Sequence, residues 1–403
     1  MNRALRILFE NSIFLLAGAL SAIVWANLWH DSYHDFAHNK TVHFVVNDIL
    51  MAVFFAIAGK EVWEAILPGG SLSNPRKAAM PLMATVGGMV GPAGLYLLGV
   101  AVMGASELTN GWAIPTATDI AFSYLVARLI FGAGHPAIPF LLLVAIADDA
   151  AGLVVLAIAY PQNELEPIWF LLTAGAIVLG FAMRRFKLQS HWFYLLGPGV
   201  LSWFSFHEAG IHAALGLVPI IPCLPHAHTD LGMFARAELK RHDTLNEFEH
   251  WWKNPVEIFL GLFGLVNAGV VFSTMGTGTW LVLFGLLVGK PFGISLFSWL
   301  GEKVFKLQLP KGMNHKDVLI VGMIAGIGFT VALFISTAAF QRGPVLDSVK
   351  MGALLSFAAC ILAFLLARIL GVCANTDSKE PPENNSSGPP PKDSIEDELV
   401  GSA

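Results

Sequence analysis

Charge is what this sequence has least of. Charged residues make up 13% of its 403, about half the share in an ordinary soluble domain, and so few charges cannot clothe a water-soluble surface. A soluble enzyme is excluded on that ground. Cysteine is scarce as well: Cys223, Cys360 and Cys373 are scattered, with no CxxC and no even framework, which leaves neither a disulfide scaffold nor a thiolate metal site. Redox chemistry goes with them, and no cofactor is expected. The formal net charge is −5, so no basic excess marks a nucleic-acid partner. No small-residue cleavage pattern follows the first apolar run, residues 12–29, which therefore reads as a retained helix with no soluble domain before it.

What is present is apolar sequence. Hydrophobic residues reach 55% and the mean hydropathy is +0.64, and runs of about 20 apolar residues, the length that crosses a hydrocarbon core, recur along the chain. The lipid bilayer is thus the expected surrounding, and the fold class is an all-α polytopic membrane protein. Breaks at charged or Pro/Gly-rich stretches predict about twelve spans: 12–29, 44–66, 78–103, 113–131, 138–160, 168–183, 192–206, 209–222, 256–274, 280–300, 317–338 and 348–372. With both termini inside, 19 lysines and arginines fall on the cytoplasmic side and only Lys40, Arg342 and Lys350 outside, the asymmetry that orients multi-pass proteins. Lys60 and Lys290 fall within spans. Residues 1–374 read as the membrane domain. Residues 375–403, with seven acidic residues against Lys379 and Lys392 in a PPENNSSGPPP setting, read as a disordered acidic cytoplasmic tail.

Two spans are interrupted. The fourth contains Pro115 and the polar run Thr116-Ala117-Thr118-Asp119, and the eleventh contains Gly322, Gly326 and Gly328 before Thr330. Broken helices at matching positions in two halves point to a transport site at an inverted-repeat interface, here between spans three to five and ten to twelve.

Ionisable residues deep in a bilayer are expensive and mark function. They cluster in this chain at Asp119 in the fourth span, Asp148 and Asp149 in the fifth, and Lys290 in the tenth. Neighbours on a helix diverge by about 100°, so Asp148 and Asp149 cannot face one partner and have separate roles. Sodium is a hard cation that prefers oxygen ligands, and these carboxylates with Thr118, Asp119 and freed backbone carbonyls supply them. Desolvated and mutually repelling, the same two carboxylates also take up protons, so the site can hold either protons or the ion. Lys290 requires an anion, for which Asp148 or Asp149 is available, and Pro291 removes the hydrogen bond to the carbonyl of Leu287. Asp119 either compensates the ends of crossing broken helices or ligates the ion directly.

The stretches NDILMAVFFAIAGKEV (47–62), GWAIPTATDIAF (111–122), AIADDAAG (145–152), GIHAALG (210–216), EHWWKNP (249–255), VNAGV (266–270), LLVGKPFGISLF (286–297) and GMIAGIGFTVALFI (322–335) resemble the NhaA-type bacterial sodium/proton antiporters, and the matches run through most of residues 47–340. The resemblance implies twelve spans, in a family that is itself a standard example of inverted-topology repeats, in the bacterial inner membrane. It implies electrogenic exchange of sodium or lithium for protons, with Asp149 the principal cation ligand and Asp148 the proton carrier that pairs with Lys290. Thr118 and Asp119 carry over to the helix crossing, and His212 to a position on the eighth span. Asp48, Glu61, Glu249 and His250 carry over to the cytoplasmic funnel and its pH response. After Glu61 the sequence reads VWEAIL, without the family's arginine and second glutamate there, while Lys60 and Glu64 are added; Glu64 joins the expected funnel set. The segment HDSYHDFAHNKTVHF is shorter than the family's exterior pairing hairpin, which leaves a homodimer open.

Other patterns have plainer readings. His30, His34 and His38 at i, i+4, i+8 have the spacing of a metal site on a helix, against an exterior loop with incidental histidines, the reading preferred. Trp63, Trp251, Trp252 and Trp280 fit aromatic belts at span ends. An intramembrane aspartyl protease would need two aspartates meeting across helices and a GxGD motif, which the chain lacks. A proton- or sodium-coupled carrier of an organic anion on the same fold is the alternative, and it would call for a basic pocket rather than adjacent acids.

Overall fold

The computed structural model describes residues 13–226 and 243–372. Arg3, Arg6, Arg236, Lys240, Arg241, Cys373 and the acidic segment 375–403 lie outside the described residues. Among those described, every regular element is a helix: α1 (Ile13–Leu28), α2 (His30–Ala37), α3 (Lys40–Ile66), α4 (Pro75–Met103), α5 (Ser106–Thr116, a 3₁₀ helix), α6 (Ile120–Phe131), α7 (Ala137–Ala159), α8 (Pro167–Arg185), α9 (residues 191–208), α10 (Ala213–Cys223, two 3₁₀ turns), α11 (Thr244–Asn267), α12 (Thr277–Lys303), α13 (His315–Ala325), α14 (Phe329–Ala339) and α15 (Pro344–Leu370). Six of them, α3, α4, α7, α8, α12 and α15, are long and apolar enough to cross a membrane. The count rises to eight if the bent pairs α5/α6 and α13/α14 are each one span.

The ends of these helices are written locally. Proline opens α4 and α15, where its missing N–H has no intrahelical partner to lose, and the Asn74 side chain caps α4 by accepting from the Arg76 N–H at 3.1 Å. Gly104 and Gly371, with φ of 65° and 69°, close α4 and α15 in the left-handed conformation that glycine adopts without strain. In α12 the turn 285–289 widens to π geometry just before Lys290-Pro291, the local adjustment that absorbs the carbonyl freed by proline.

Close packing of α4 against α12 fixes the centre of the molecule. A Cβ on Gly87 would stand 2.2 Å from the Gly293 carbonyl oxygen, and one on Gly91 would stand 2.4 Å from that of Gly289, so the two backbones touch where only glycine fits. Lys290 lies in that contact, its Cε 3.8 Å from where a Gly88 Cβ would be. The α1/α11 contact is built alike, through Gly18 and Gly261.

The structure departs from the sequence reading in three places. Residues 30–37 form a helix rather than an exterior loop, because Tyr33 is buried and its hydroxyl bonds the carbonyls of Leu265 and Val266 at 3.0 Å and accepts from the Gly269 N–H. The rings of His34 and His38 stack at 3.8 Å, and no group of three metal-ligating side chains forms among the described residues. Helix α11 begins at Thr244, twelve residues before the expected span, because Asp243 caps it by accepting from the Asn246 N–H at 2.8 Å. Gly322 does not break the eleventh span: it lies inside α13 against Pro291, and the break falls at residues 326–328.

Candidate ion-binding site

The two bent pairs cross through their non-helical segments, bending by 55° at 117–119 and by 51° at 326–328. Proline at 115 and glycines at 326 and 328 end the helices, and each interruption leaves carbonyls and N–H groups without intrahelical partners. In water they would be solvated; here they must bond to one another. The Asp119 N–H donates to the Ile327 carbonyl at 2.7 Å, the Thr118 hydroxyl lies 3.1 Å from the Ala325 carbonyl, and the Ser123 hydroxyl donates to the Ile324 carbonyl at 3.2 Å.

Charge at the crossing is matched end by end. The N-termini of α6 and α14, both electropositive, share one carboxylate: Asp119 accepts from the Phe122 N–H at 3.3 Å, from the Thr330 N–H at 3.4 Å and from the Thr330 hydroxyl at 2.7 Å. The electronegative C-terminus of α5 meets a cation, since Lys290 donates to the Thr116 carbonyl. Asp119 and Lys290 are both buried, so each is neutralised by backbone as well as by side chains.

Lys290 also donates to Asp148, Nζ to Oδ2 at 2.8 Å, and the Thr118 hydroxyl donates to the same oxygen at 2.8 Å. Asp148, on α7, is therefore held at the crossing by residues of α5/α6 and α12. Asp149, the next residue round the helix, turns away. No donor among the described residues reaches its carboxylate, and it lines a cavity of about 20 Å³ with Thr116, Ala117, Asp148, Phe54 and Phe55. That volume holds about one water-sized occupant. A carboxylate with free lone pairs, a second carboxylate beside it and apolar walls make a site for one small hard cation, with Thr116, Ala117 and Asp148 the neighbouring sources of oxygen.

The chain matches the family described as Na+/H+ antiporter 1 over residues 3–369. It is 49% identical to the Na(+)/H(+) antiporter NhaA of Jannaschia sp. (strain CCS1), over 90% of this chain and 96% of that protein. It is 51% identical to the Na(+)/H(+) antiporter NhaA of Geotalea uraniireducens (strain Rf4), over 92% of this chain and 98% of that protein. The chain belongs to the Na+/H+ antiporter 1 family. Among solved structures, the sodium proton antiporter MjNhaP1 of Methanocaldococcus jannaschii shares the fold, with a TM-score of 0.54 at 14% identity over 89% of this chain and 91% of that one. Members of this family are transporters, and the chain is a multi-pass membrane protein.

In this family member the remaining candidate residues divide between two places. Lys60 donates to Glu64 at 2.5 Å and to Glu249 on α11, with Glu61 half-buried beside them. Glu61 adjoins Lys60 on α3 and stands about one turn from Ala58, which lines the ion cavity. His250 is exposed and no contact ties it to the cluster: one residue of helix turns it by about 100° from Glu249. Asp48 stands apart. It lies 13 residues before Glu61 on α3, about 20 Å along the axis, and its carboxylate is 3.4 Å from Nδ1 of the buried His212. Asp48 thus pairs with His212, about 20 Å along α3 from Glu61, and Glu64 and Glu249 pair with Lys60.

Thr116, Ser123, Thr330 and Lys60 were absent from the sequence-derived candidates. Ser123 stands four residues after Asp119, one turn along the same face, which is a signal that could have found it. The Lys60–Glu249 pair joins residues 189 apart and leaves no local trace.

Proposed function

We propose that this chain is an electrogenic antiporter of the bacterial inner membrane that extrudes sodium, or lithium, in exchange for protons and so serves sodium and pH homeostasis. The observation that carries the reading is the contrast between adjacent aspartates: Asp148 is bonded to Lys290 and Thr118, while Asp149 faces a one-ion cavity with no donor among the described residues. Asp149 is the principal sodium ligand and Asp148 the proton carrier, with Lys290 its counter-ion. When sodium enters beside Asp149, its charge weakens the hold of the site on protons; when protons return, sodium is released. The ion and the protons thus compete for one pair of carboxylates, which is exchange.

Thr118 and Asp119 keep the crossing neutral, so the segments beside the ion can move without exposing bare helix ends. The twelve apolar segments are twelve spans in two inverted repeats, with both termini cytoplasmic. Arg342 and Lys350, assigned outside by charge asymmetry, line one cavity with His38, and Arg342 donates to the His38 carbonyl at 3.1 Å, which supports placing that end outside. Glu61, Glu64 and Glu249 then lie at the cytoplasmic mouth. The test is proton movement in everted vesicles: addition of sodium or lithium releases protons from the vesicle interior, and potassium does not. A response to potassium and calcium equal to that for sodium would overturn the assignment.

A further inference from the structure

Lys60 is 3% exposed, in the last turns of a helix that the sequence marks as a span. A buried ammonium persists only where anions compensate it. Two carboxylates do so from different directions, Glu64 one turn along α3 and Glu249 on α11. Beside the pair stand Glu61, next to Lys60 on α3, and Lys253, four residues along α11 from Glu249. Lys253 is exposed. Lys60 is therefore the cation that sits within the carboxylate pair.

The position matters for two physical reasons. A pair of half-buried carboxylates bridged by nothing is a set of oxygen ligands for a hard cation, and the ammonium fills that place. The bridge also ties α3 to α11, and α3 supplies Phe54, Phe55 and Ala58 to the wall of the Asp149 cavity. We propose that Lys60 is a positioning residue: its ammonium is a resident counter-ion that spans Glu64 and Glu249, keeps sodium from lodging at the mouth, and leaves Glu61 as the carboxylate that passes the ion toward Asp149. The inference rests on the antiport reading above.

The experiment is sodium-dependent proton movement in everted vesicles at fixed pH, with wild type, Lys60→Met, Lys60→Arg and Glu64→Gln. Lys60→Met bares the carboxylate pair, so half-saturating sodium falls by about tenfold, the low end of what focused charge achieves, and the maximal rate falls because sodium leaves the mouth slowly. Lys60→Arg bridges both carboxylates and restores the wild-type half-saturation. Glu64→Gln moves it the other way, upward, and keeps the proposal testable if Lys60→Met does not accumulate in the membrane. A residue with only a structural role would lower the amount of protein and the maximal rate without moving half-saturation. Half-saturating sodium unchanged in Lys60→Met, or in Glu64→Gln where Lys60→Met is absent from the membrane, overturns the resident counter-ion. A wild type without any sodium-driven proton movement overturns the antiport reading instead.

Discussion

Nζ of Lys290 lies 2.8 Å from Oδ2 of Asp148, and solvent reaches 0% and 3% of the two side chains. Removing one member of such a buried pair leaves the other charge uncompensated, a loss of about 3–5 kcal/mol, whereas Asp149 has no hydrogen-bonded or ion-paired partner among the described residues to strand. The adjacent aspartates therefore respond differently to the same substitution. Asp149→Asn is expected to abolish sodium-driven proton release while thermal stability stays near wild type. Asp148→Asn abolishes release too, and it lowers the melting temperature of the purified protein. Exchange at more than about a tenth of the wild-type rate by Asp149→Asn would remove Asp149 from the ion site.

Uneven exchange moves charge, and one charge crossing the membrane potential is worth about 2.3 kcal/mol per 100 mV. Two aspartates and Lys290 are three ionisable groups at one cavity of single-ion volume, which gives room for more protons than sodium ions per cycle. In proteoliposomes loaded with sodium, an imposed potential, negative inside, should speed sodium exit and a short-circuiting ionophore should remove that gain. Rates indifferent to potential would leave one-for-one exchange.

The hydroxyl of Thr330 donates to the carboxylate of Asp119 at 2.7 Å, and a hydrogen bond to a charged group contributes about 1.5–3 kcal/mol. Thr330→Val keeps the shape of the side chain and deletes the donor. The expected outcome is a protein that inserts normally but melts several degrees lower and transports slowly, because the α14 N-terminus keeps only the longer bond to Asp119, from the Thr330 N–H at 3.4 Å. Thr330→Ser should recover most of both properties.

Glycine at 87 is required by a neighbouring backbone. In Gly87→Ala the new methyl would meet the Gly293 carbonyl at 2.2 Å and the Phe297 Cβ at 2.6 Å, so α4 and α12 must separate, at about 1–3 kcal/mol for such overpacking. Separation displaces Lys290, three residues before Gly293. Loss of transport should therefore accompany the loss of stability. Gly94→Ala, whose Cβ would meet nothing within 4 Å, should change neither property.

Residues that announce themselves by local chemistry were legible in the sequence. Pro115 and the polar run after it mark a break that the structure places at 117–119, and the adjacency of Asp148 and Asp149 is enough to say that they face different ways. The second break was only partly legible, since glycine serves both interruption and packing: Gly322 packs against Pro291, and Gly326 and Gly328 lie at the break itself. Long-range pairs were not legible at all. Nothing near Lys60 names Glu249, and Tyr33, which turns an expected loop into a helix, finds its partners more than 230 residues away. Asp48 and Glu61 are 13 residues apart within one helix, Lys40–Ile66, which sets them about 20 Å apart, and nothing near Asp48 in the sequence names His212.

The response to pH separates two mechanisms. If sodium and protons simply compete for Asp148 and Asp149, transport falls in acid because protons win, and enough sodium restores it at any pH. If the mouth also titrates, saturating sodium leaves a residual pH midpoint that moves when charge there is changed. Glu249 belongs to the Lys60 cluster and His250 does not, so the two neighbours should differ. Glu249→Gln removes a negative charge, and a less negative mouth holds protons less tightly; the midpoint at saturating sodium should move toward acid. Lys60 is buried but Glu249 keeps 29% of its side chain in solvent, which screens the effect of its charge toward that of a surface pair, up to about 1 kcal/mol, so at about 1.4 kcal/mol per pH unit the expected movement is roughly half a unit. His250→Ala should leave the midpoint where it is, and the double variant should move it no further than Glu249→Gln alone. Proton release followed across pH in everted vesicles, at sodium well above half-saturation, measures all three. A midpoint that stays put in Glu249→Gln would mean that the aspartates carry the whole pH response, and that the glutamates at the mouth gather sodium without sensing protons.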